Sequence, residues 1–248
     1  MKPETNEWNQ PVGPIVPRWK PPPHPTREVM VGRFCRLEPL DARSHAESLY
    51  AANDSDLGRR SWTYLPYGPF ESVESYRAWI ERDGGGSDPQ FYAIVDLGRN
   101  EALGVASYLR ITPGSGSIEV GHLNFSPLLQ RTPAATEAMY LMMARVFELG
   151  YRRYEWKCDA LNSPSRAAAL RLGFSFEGVF RQATVVKGRS RDTAWYAVID
   201  SDWPALATAF QRWLSASNFD EQGVQRIGLS TLTAPLLHGS IVGRRVTN

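Results

Sequence analysis

Apolar and polar positions repeat along this chain with two periods, and the changes of period predict its secondary structure. Alternation, or a short wholly apolar run, predicts β-strands over 32–40, 91–96, 102–111, 117–125, 154–160, 174–182 and 193–199. Apolar residues three and four positions apart predict helices that begin near Asp41, Ser72, Ala135, Ser163 and Asp202. The order of elements is therefore β-α-α-β-β-β-α-β-α-β-β.

The connections between these elements predict how the strands pair. Turn residues at 97–100 and 113–116 join three consecutive strands, so these should form an antiparallel meander. A strand, a helix and another strand follow, as in a crossover connection. We therefore expect an α/β fold (mixed α+β), with a mixed, mostly antiparallel sheet of about seven strands flanked by helices.

The two ends of the chain differ from its middle. Residues 1–30 are rich in proline, which lacks an N–H, so they predict an extended arm that Trp8 and Trp19 could pin to the surface. Helical periodicity fades after Asn218. We expect an arm over 1–30, one domain over 31–218 and a tail, packed or loose, over 219–248.

Charge and cysteine content narrow the function classes. The net charge of the 248-residue chain is +2 and no long run has one sign, so neither a nucleic acid nor a membrane is predicted as a partner. Cys35 and Cys158 lie in apolar segments and show no metal-ligand spacing with histidine, which predicts buried free thiols, no metal and a cytoplasmic location. Either a monomer or a homodimer fits the sequence.

Three segments have a more specific pattern. Residues 117–130 (SIEVGHLNFSPLLQ) place an acidic residue, Glu119, two positions before a glycine on a predicted strand. Residues 130–138 (QRTPAATEA) open the strongest predicted helix. Residues 161–182 (LNSPSRAAALRLGFSFEGVFRQ) combine an Asn-x-x-Ser start with Gly-Phe and Glu-Gly pairs.

These segments resemble the GNAT superfamily of acyltransferases, and within it the RimJ/RimL-like branch of ribosomal-protein N-terminal acetyltransferases. The resemblance implies a GNAT-type sheet that splays in the middle. It also implies an enzyme that moves an acetyl group directly from acetyl-CoA, its co-substrate, to a primary amine, either a protein α-amine or a small molecule. Pro133 stands where the family has a glycine, and it favours an alternative: a catalytically weak acyl-CoA-binding or scaffold module.

The resemblance also assigns the contacts with coenzyme A. Backbone amides of the splayed strand would hold the pantetheine arm and the thioester carbonyl, and amides at a helix start would hold the diphosphate. Asn162 would bond the pantetheine amide, although a loop residue bonding nearby backbone is the simpler reading. The expected cofactor-binding residues are Leu123, Asn124, Phe125, Gln130, Arg131, Thr132, Pro133, Ala134, Ala135, Thr136 and Asn162.

The resemblance makes Glu119 the general base and Ser165 the acid that protonates the leaving thiolate. A buried carboxylate has a raised pKa, which suits a base. His122 is the rival base, but its parity on the strand predicts the opposite face from Glu119. The alternatives are a solvated Glu119 and a Ser165 that only starts a helix. Covalent catalysis by Cys158 is a further alternative.

The segment 60–70 (RSWTYLPYGPF) is rich in aromatic residues. In the resembling family this region contributes to the acceptor pocket, so we expect Trp62, Tyr64 and Tyr67 to bind an apolar or cationic amine. A small aromatic core between two helices is the alternative. The last predicted hairpin has a cluster of basic residues, which consists of Arg181, Lys187, Arg189 and Arg191. Such a cluster is more typical of a solvated sheet edge than of an anion site.

Overall fold

One mixed, mostly antiparallel sheet organises the molecule. The computed structural model describes residues 4–238. Its strands are β1 (Glu4–Thr5), β2 (Pro11–Val12), β3 (Met30–Val31), β4 (Cys35–Pro39), β5 (Gln90–Asp96), β6 (Glu101–Thr112), β7 (Ser117–Phe125), β8 (Arg153–Asp159), β9 (Ser175–Val186) and β10 (Arg189–Ile199). The eight-stranded sheet has the order β3-β4-β5-β6-β7-β8-β10-β9, and β1 and β2 form a separate ribbon.

Helices cover both faces of the sheet. They are α1 (Ala42–Asp54), α2 (Val73–Asp83), α3 (Pro133–Glu148), α4 (Ser163–Arg171), α5 (Trp203–Leu214) and α6 (Leu229–Thr233). Apolar residues of α1 and α2 form one core with one face of the sheet, and those of α3 to α6 form a second core with the other. The predicted fold class and the β5-β6-β7 meander are confirmed, with the short β3 as an added strand.

Two helices begin earlier than the sequence pattern predicts. The expected start of α3 was Ala135, but the helix begins at Pro133, with Thr132 as its N-cap. The expected N-cap of α4 was Ser163, but the cap is Asn162, and Pro164 lies in the first turn. Proline is tolerated in a first turn because its missing N–H would have no partner inside the helix.

Glu137 ties α3 to the first strands of the sheet. Its buried carboxylate accepts the backbone N–H groups of Arg33, Phe34 and Cys35 at 2.8, 2.6 and 2.9 Å. A Cβ on Gly32 would lie 2.4 Å from Glu137 Cδ, so only glycine allows the turn to approach this closely. The glutamate of the ATEA motif therefore stabilises the fold.

The central strands β7 and β8 part halfway along their length. They pair in parallel only where Ser117–Val120 lies beside Arg153–Trp156. Beyond this point β7 keeps only β6 as a neighbour, while β8 continues beside β10. The sheet therefore splays in its middle, and one edge of residues 121–125 faces the gap.

The described parts of the arm and the tail pack on this domain. The Tyr151 hydroxyl donates to the Pro23 carbonyl at 3.2 Å, and Gln90 Nε2 donates to the Pro25 carbonyl at 2.8 Å. In the tail, buried Thr233 donates its hydroxyl to the Arg171 carbonyl at 2.9 Å. Residues 239–248 of the predicted tail lie outside the described residues. Within 4–238, no helix has the length and apolar character to cross a membrane.

Candidate active site

Two of the predicted catalytic residues flank the point where β7 and β8 separate. Val120 and Trp156 form the last paired position. Ile118 and Val120 belong to the core under α3, so Glu119 between them points to the α1–α2 face. On the opposite face, the Ser165 hydroxyl accepts a hydrogen bond from Trp156 Nε1 at 3.0 Å. The gap in the sheet therefore has a carboxylate on one side and a hydroxyl on the other.

Glu119 is buried and paired with two cations, so the alternative that it is a solvated residue is wrong. Only 3 % of its side chain is exposed. Its Oε1 lies 2.7 Å from Arg110 Nη1, and its Oε2 lies 2.8 Å from Lys157 Nζ. Burial raises the pKa of Glu119, and Lys157 and Arg110 offset part of that rise.

A chain of ion pairs continues from Glu119 along β8. Lys157 Nζ lies 2.7 Å from Glu155 Oε2, and Arg153 Nε lies 2.6 Å from Glu155 Oε1. Arg153 also contacts Glu177 on β9, with a 2.8 Å bond from its Nη1. The sequence interpretation missed this network. The parity of β8 could have revealed it, because Lys157 alternates with two core residues and must face the same side as Glu119.

The prediction that Glu119 and His122 point to opposite faces is wrong. His122 has a left-handed φ of 51°, and the β6–β7 register shifts there. This β-bulge reverses the expected parity. His122 stacks on Phe91 in the α1–α2 core with ring centroids 5.0 Å apart, and its Nδ1 lies 3.1 Å from Ser107 Oγ. Both residues therefore lie on the same face.

His122 is a poor base in this environment. Burial lowers the pKa of His122 to about 4, and the positive charge of Arg110 acts in the same direction. A group with that pKa is neutral at pH 7 but has little affinity for a proton. Glu119, whose pKa is raised, is the better base of the two.

The α3–α4 face offers neutral groups at the gap. Ser165 lies in the first turn of α4, where its backbone N–H donates to Asn162 Oδ1 at 3.1 Å. Ser165 and Asn162 thus have the structural role at the start of α4 that the simpler hypothesis gave them. The cap contact still leaves the serine hydroxyl proton and the Asn162 NH₂ group for other partners, so roles toward acetyl-CoA stay open. Burial raises the pKa of Cys158, partly offset by Ser165. A protonated thiol argues against covalent catalysis by Cys158.

The loop before α3 presents backbone donors despite Pro133. The amides of Arg131 and Ala134 have no acceptor within the part of the chain described. By contrast, the Thr132 amide donates to the Leu129 carbonyl and the Ala135 amide to Thr132 Oγ1. Arg131 takes a left-handed φ of 62°, which turns the chain into the helix. Of the amides of Arg131, Thr132, Ala134 and Ala135, the first and third are therefore free within residues 4–238, at a helix N-terminus that favours an anion.

The other predicted cofactor contacts lie along the same side of the split. Leu123, Asn124 and Phe125 belong to the half of β7 that has left β8. The side-chain amide of Asn124 is buried, and within residues 4–238 neither its oxygen nor its nitrogen has a hydrogen-bond partner. Such a group usually has a partner in the complete complex. Gln130 Nε2 donates to the Phe125 carbonyl, and Thr136 Oγ1 accepts from Arg171 at 3.0 Å.

The aromatic segment after α1 divides between packing and lining a pocket. Trp62 is buried against Phe70 and Tyr76, as the aromatic-core alternative predicted. Tyr67 packs on Trp79 with ring centroids 4.4 Å apart. A pocket of about 280 Å³ lies beside it, and its lining consists of Tyr67, Trp79, Arg82, Asp83, Pro89, Phe91 and His122.

Three hydrogen bonds join this aromatic segment to the β9–β10 turn and to the chain just before α4. Lys187, in the β9–β10 turn, donates to the carbonyls of Trp62 and Gly68 at 2.9 and 3.0 Å. The Tyr64 hydroxyl donates to the Leu161 carbonyl at 3.3 Å, just before α4. Lys187 is therefore a bridging residue, and the reading of the whole basic cluster as a solvated edge is wrong for this member.

A mixed, mostly antiparallel sheet that splays beside a helix N-terminus is the arrangement of the GNAT fold. Comparison with known proteins agrees. The acetyltransferase (GNAT) domain family matches residues 35–175, and the chain belongs to this family.

Individual relatives range from close to distant. A GCN5-related N-acetyltransferase from Brucella melitensis shares 45 % identity, with 88 % of this chain and 99 % of that one covered and a TM-score of 0.86. The ribosomal-protein-serine acetyltransferase of Escherichia coli (strain K12) is 32 % identical over 104 residues. That match covers 41 % of this chain and 58 % of the relative.

A third relative shows the fold alone. The microcin C7 self immunity acetyltransferase MccE, solved in complex with acetyl-CoA and AMP, has 22 % identity and a TM-score of 0.59. The alignment covers 68 % of this chain and 93 % of that one.

Proposed function

We propose that this protein is an acetyl-CoA-dependent N-acetyltransferase that transfers the acetyl group directly to a primary amine. The observation that carries the proposal is the placement of Glu119 and Ser165 on opposite faces of the sheet, at the level where β7 and β8 separate. A thioester in this gap would have a base on its amine side and a hydroxyl donor on its sulfur side.

The groups around the gap divide the binding of acetyl-CoA among them. The amides of Arg131 and Ala134, which have no acceptor among residues 4–238, are donors for the diphosphate. In the described part of the chain, one edge of residues 121–125 has no strand partner and the Asn124 side-chain amide has no hydrogen-bond partner. Both suit the pantetheine arm and the thioester carbonyl. A fold relative, MccE, was solved with acetyl-CoA bound, which supports the same use of the fold here.

The protons of the reaction can be followed through these residues. The acceptor arrives as an ammonium ion, and Glu119 takes one proton. The amine lone pair then attacks the thioester carbonyl carbon, the carbon–sulfur bond breaks, and coenzyme A leaves as a thiolate. Ser165 passes a proton to the sulfur and regains the second proton released from the nitrogen. Glu119 finally gives its proton to water.

The nature of the acceptor is part of the proposal. A ribosomal-protein-serine acetyltransferase is among the relatives, which favours a protein α-amine. The bridges from Lys187 and Tyr64 enclose the aromatic segment and favour an acceptor that is slender where it enters, such as a chain terminus or a small molecule. Both acceptors have a free primary amine on a narrow stem.

Two measurements test the proposal. Isothermal titration with acetyl-CoA should show binding, and a thiol-release assay with small amines and peptide N-termini should show turnover. Binding without turnover on any amine would point to an acyl-CoA-binding module instead. Failure to bind acetyl-CoA, coenzyme A or a longer acyl-CoA would overturn the proposal altogether.

A further inference from the structure

Arg110 and Lys157 hold the two oxygens of Glu119 in different ways. The Lys157 side chain is 10 % exposed, with its Nζ also 2.7 Å from Glu155 and 3.8 Å from the centre of the Trp195 ring. The Arg110 side chain is 60 % exposed, and within residues 4–238 its guanidinium has Glu119 as its only partner. Lys157 is fixed in place, whereas Arg110 can leave Glu119 without breaking another hydrogen bond or ion pair among the described residues.

The backbone of Arg110 is anchored although its side chain is not. Arg110 has a left-handed φ of 47° in an irregular stretch of β6. The Asp88 carboxylate accepts the N–H groups of Arg110 and Ile111, each at 2.9 Å. The guanidinium can therefore swing away from Glu119 while the strand stays in register.

We propose that Arg110 occupies the position on Glu119 Oε1 that the ammonium group of the acceptor takes during the reaction. The inference rests on the proposed function and makes the acceptor a primary amine that arrives protonated. Its apolar body would lie in the pocket beside Tyr67, Phe91 and His122. That pocket adjoins Arg110, because Pro89 in its wall follows the aspartate that holds the Arg110 amide.

The exchange matches the chemistry that the base must perform. An ammonium ion and a guanidinium both donate hydrogen bonds from N–H groups, and both carry one positive charge. When the ammonium gives its proton to Oε1, nitrogen keeps its lone pair for attack and Glu119 becomes neutral. A cation fixed at Oε1 would oppose that step, because it stabilises the charged carboxylate and blocks the oxygen. A cation that the acceptor displaces does neither. Lys157 keeps its second carboxylate, Glu155, throughout.

The inference can be tested without acetyl-CoA, by removing the Arg110 side chain and adding a small ammonium ion in its place. The pKa of Glu119 is measured by ¹³C NMR of its side-chain carboxyl. The charged groups that face this carboxyl, and so influence its pKa, are Arg110 on β6 and Lys157 with Glu155 on β8. His122, three residues further along β7 on the same face, has its pKa lowered to about 4 by burial. In Arg110→Ala the pKa should rise by about one unit or more because one cation is lost. Methylammonium at constant ionic strength should return it toward the wild-type value, whereas tetramethylammonium, which has no N–H, should not.

Three variants make the result decisive. Arg110→Lys should keep a near wild-type pKa and ignore methylammonium, because its own ammonium fills the site. Arg77→Ala, which removes an ion pair with Glu47 on the helices, should leave the Glu119 pKa unchanged. Arg110→Gln serves if the alanine variant does not fold. An equal response to both ammonium ions, or none to either, would overturn the inference. Failure of acetyl-CoA binding would instead count against the proposed function.

Discussion

Glu119 and Glu137 are both buried carboxylates, with 3 % and 4 % of their surface exposed, but their surroundings differ. Glu137 accepts three backbone N–H groups from residues 33–35. Glu119 is held by the side chains of Arg110 and Lys157, at the point where two strands separate. One carboxylate is bound by backbone N–H groups, and the other by two side chains, of which only Arg110 is exposed.

We propose that this difference separates a structural carboxylate, Glu137, from a catalytic one, Glu119. Backbone donors cannot withdraw without opening the fold, so Glu137 has no route to a substrate. Of the two cations on Glu119, Lys157 is fixed by a second carboxylate, whereas the exposed Arg110 can exchange with solvent or ligand and would then open one oxygen of Glu119 to a proton donor. The nature of the partners therefore says more about the role of a buried acid than its burial does.

The largest expected effect comes from Glu119→Gln. We expect kcat/KM for amine acetylation to fall by about 100- to 10,000-fold, because the base is lost. The affinity for acetyl-CoA should not change. Steady-state thiol release and isothermal titration measure the two quantities, with Glu101→Gln, an exposed glutamate on β6, as the control. Near wild-type turnover would remove Glu119 from the mechanism.

Glu137→Gln should act on stability instead. The new amide sets an N–H against backbone donors and removes the charge that they bond, so we expect a loss of about 2–4 kcal/mol in the free energy of unfolding. Urea denaturation measures it, and Glu148→Gln, exposed on the same helix, provides the comparison. If the folded variant lost catalysis without losing stability, the contrast between the two acids would be mistaken.

The pH dependence sharpens the same contrast. Burial raises the pKa of Glu119 above its ordinary value of 4.5. Activity requires the deprotonated carboxylate, so kcat/KM should be high above the raised pKa and fall about tenfold per pH unit below it. A profile of thiol release against pH should lose this limb in any residual activity of Glu119→Gln. A limb that persists in the variant would assign the base elsewhere.

Ser165→Ala should have a smaller effect. Loss of the hydroxyl removes the donor to the leaving sulfur, and kcat should fall about tenfold. Trp156 Nε1 also loses its acceptor, at a cost of about 1 kcal/mol in stability. Ser163→Ala, exposed in the same turn, is the matched control. A series of acetyl thioester donors with better leaving thiols would restore the rate only if Ser165 serves the sulfur.

His122→Phe should have the smallest effect on chemistry. With a pKa of about 4, His122 contributes stacking on Phe91 rather than proton transfer. We expect kcat to change by less than about threefold, as measured at saturating amine. A hundredfold loss would restore His122 as the base and leave Glu119 as part of an ion-pair network.

The fold could be predicted from the sequence because its information is local. Alternation, helical spacing and turn residues predicted the order of elements. The resemblance pointed to Glu119 and Ser165, which lie beside the split between β7 and β8. The side on which His122 lies could not be predicted, because one bulge residue with a positive φ reverses the parity. The partners of Glu119 were missed because Arg110 and Lys157 lie on other strands and belong to no motif.

The starts of two helices were predicted wrongly for a related reason. The apolar pattern of α3 starts at Ala135, but the helix starts at Pro133, since the cap and a first-turn proline carry no apolar signal. The same holds for Asn162 before α4. Lys187 looked like a solvated charge because its acceptors, two carbonyls more than a hundred residues away in sequence, leave no local trace.

A crystal structure with acetyl-CoA tests most directly whether the split in the sheet holds the reacting groups. We expect the diphosphate on the amides of Arg131 and Ala134, the sulfur within hydrogen-bonding distance of Ser165 Oγ, and the acetyl carbon turned toward Glu119. A thioester outside the gap between β7 and β8, or an acetyl group pointing away from Glu119, would contradict the account.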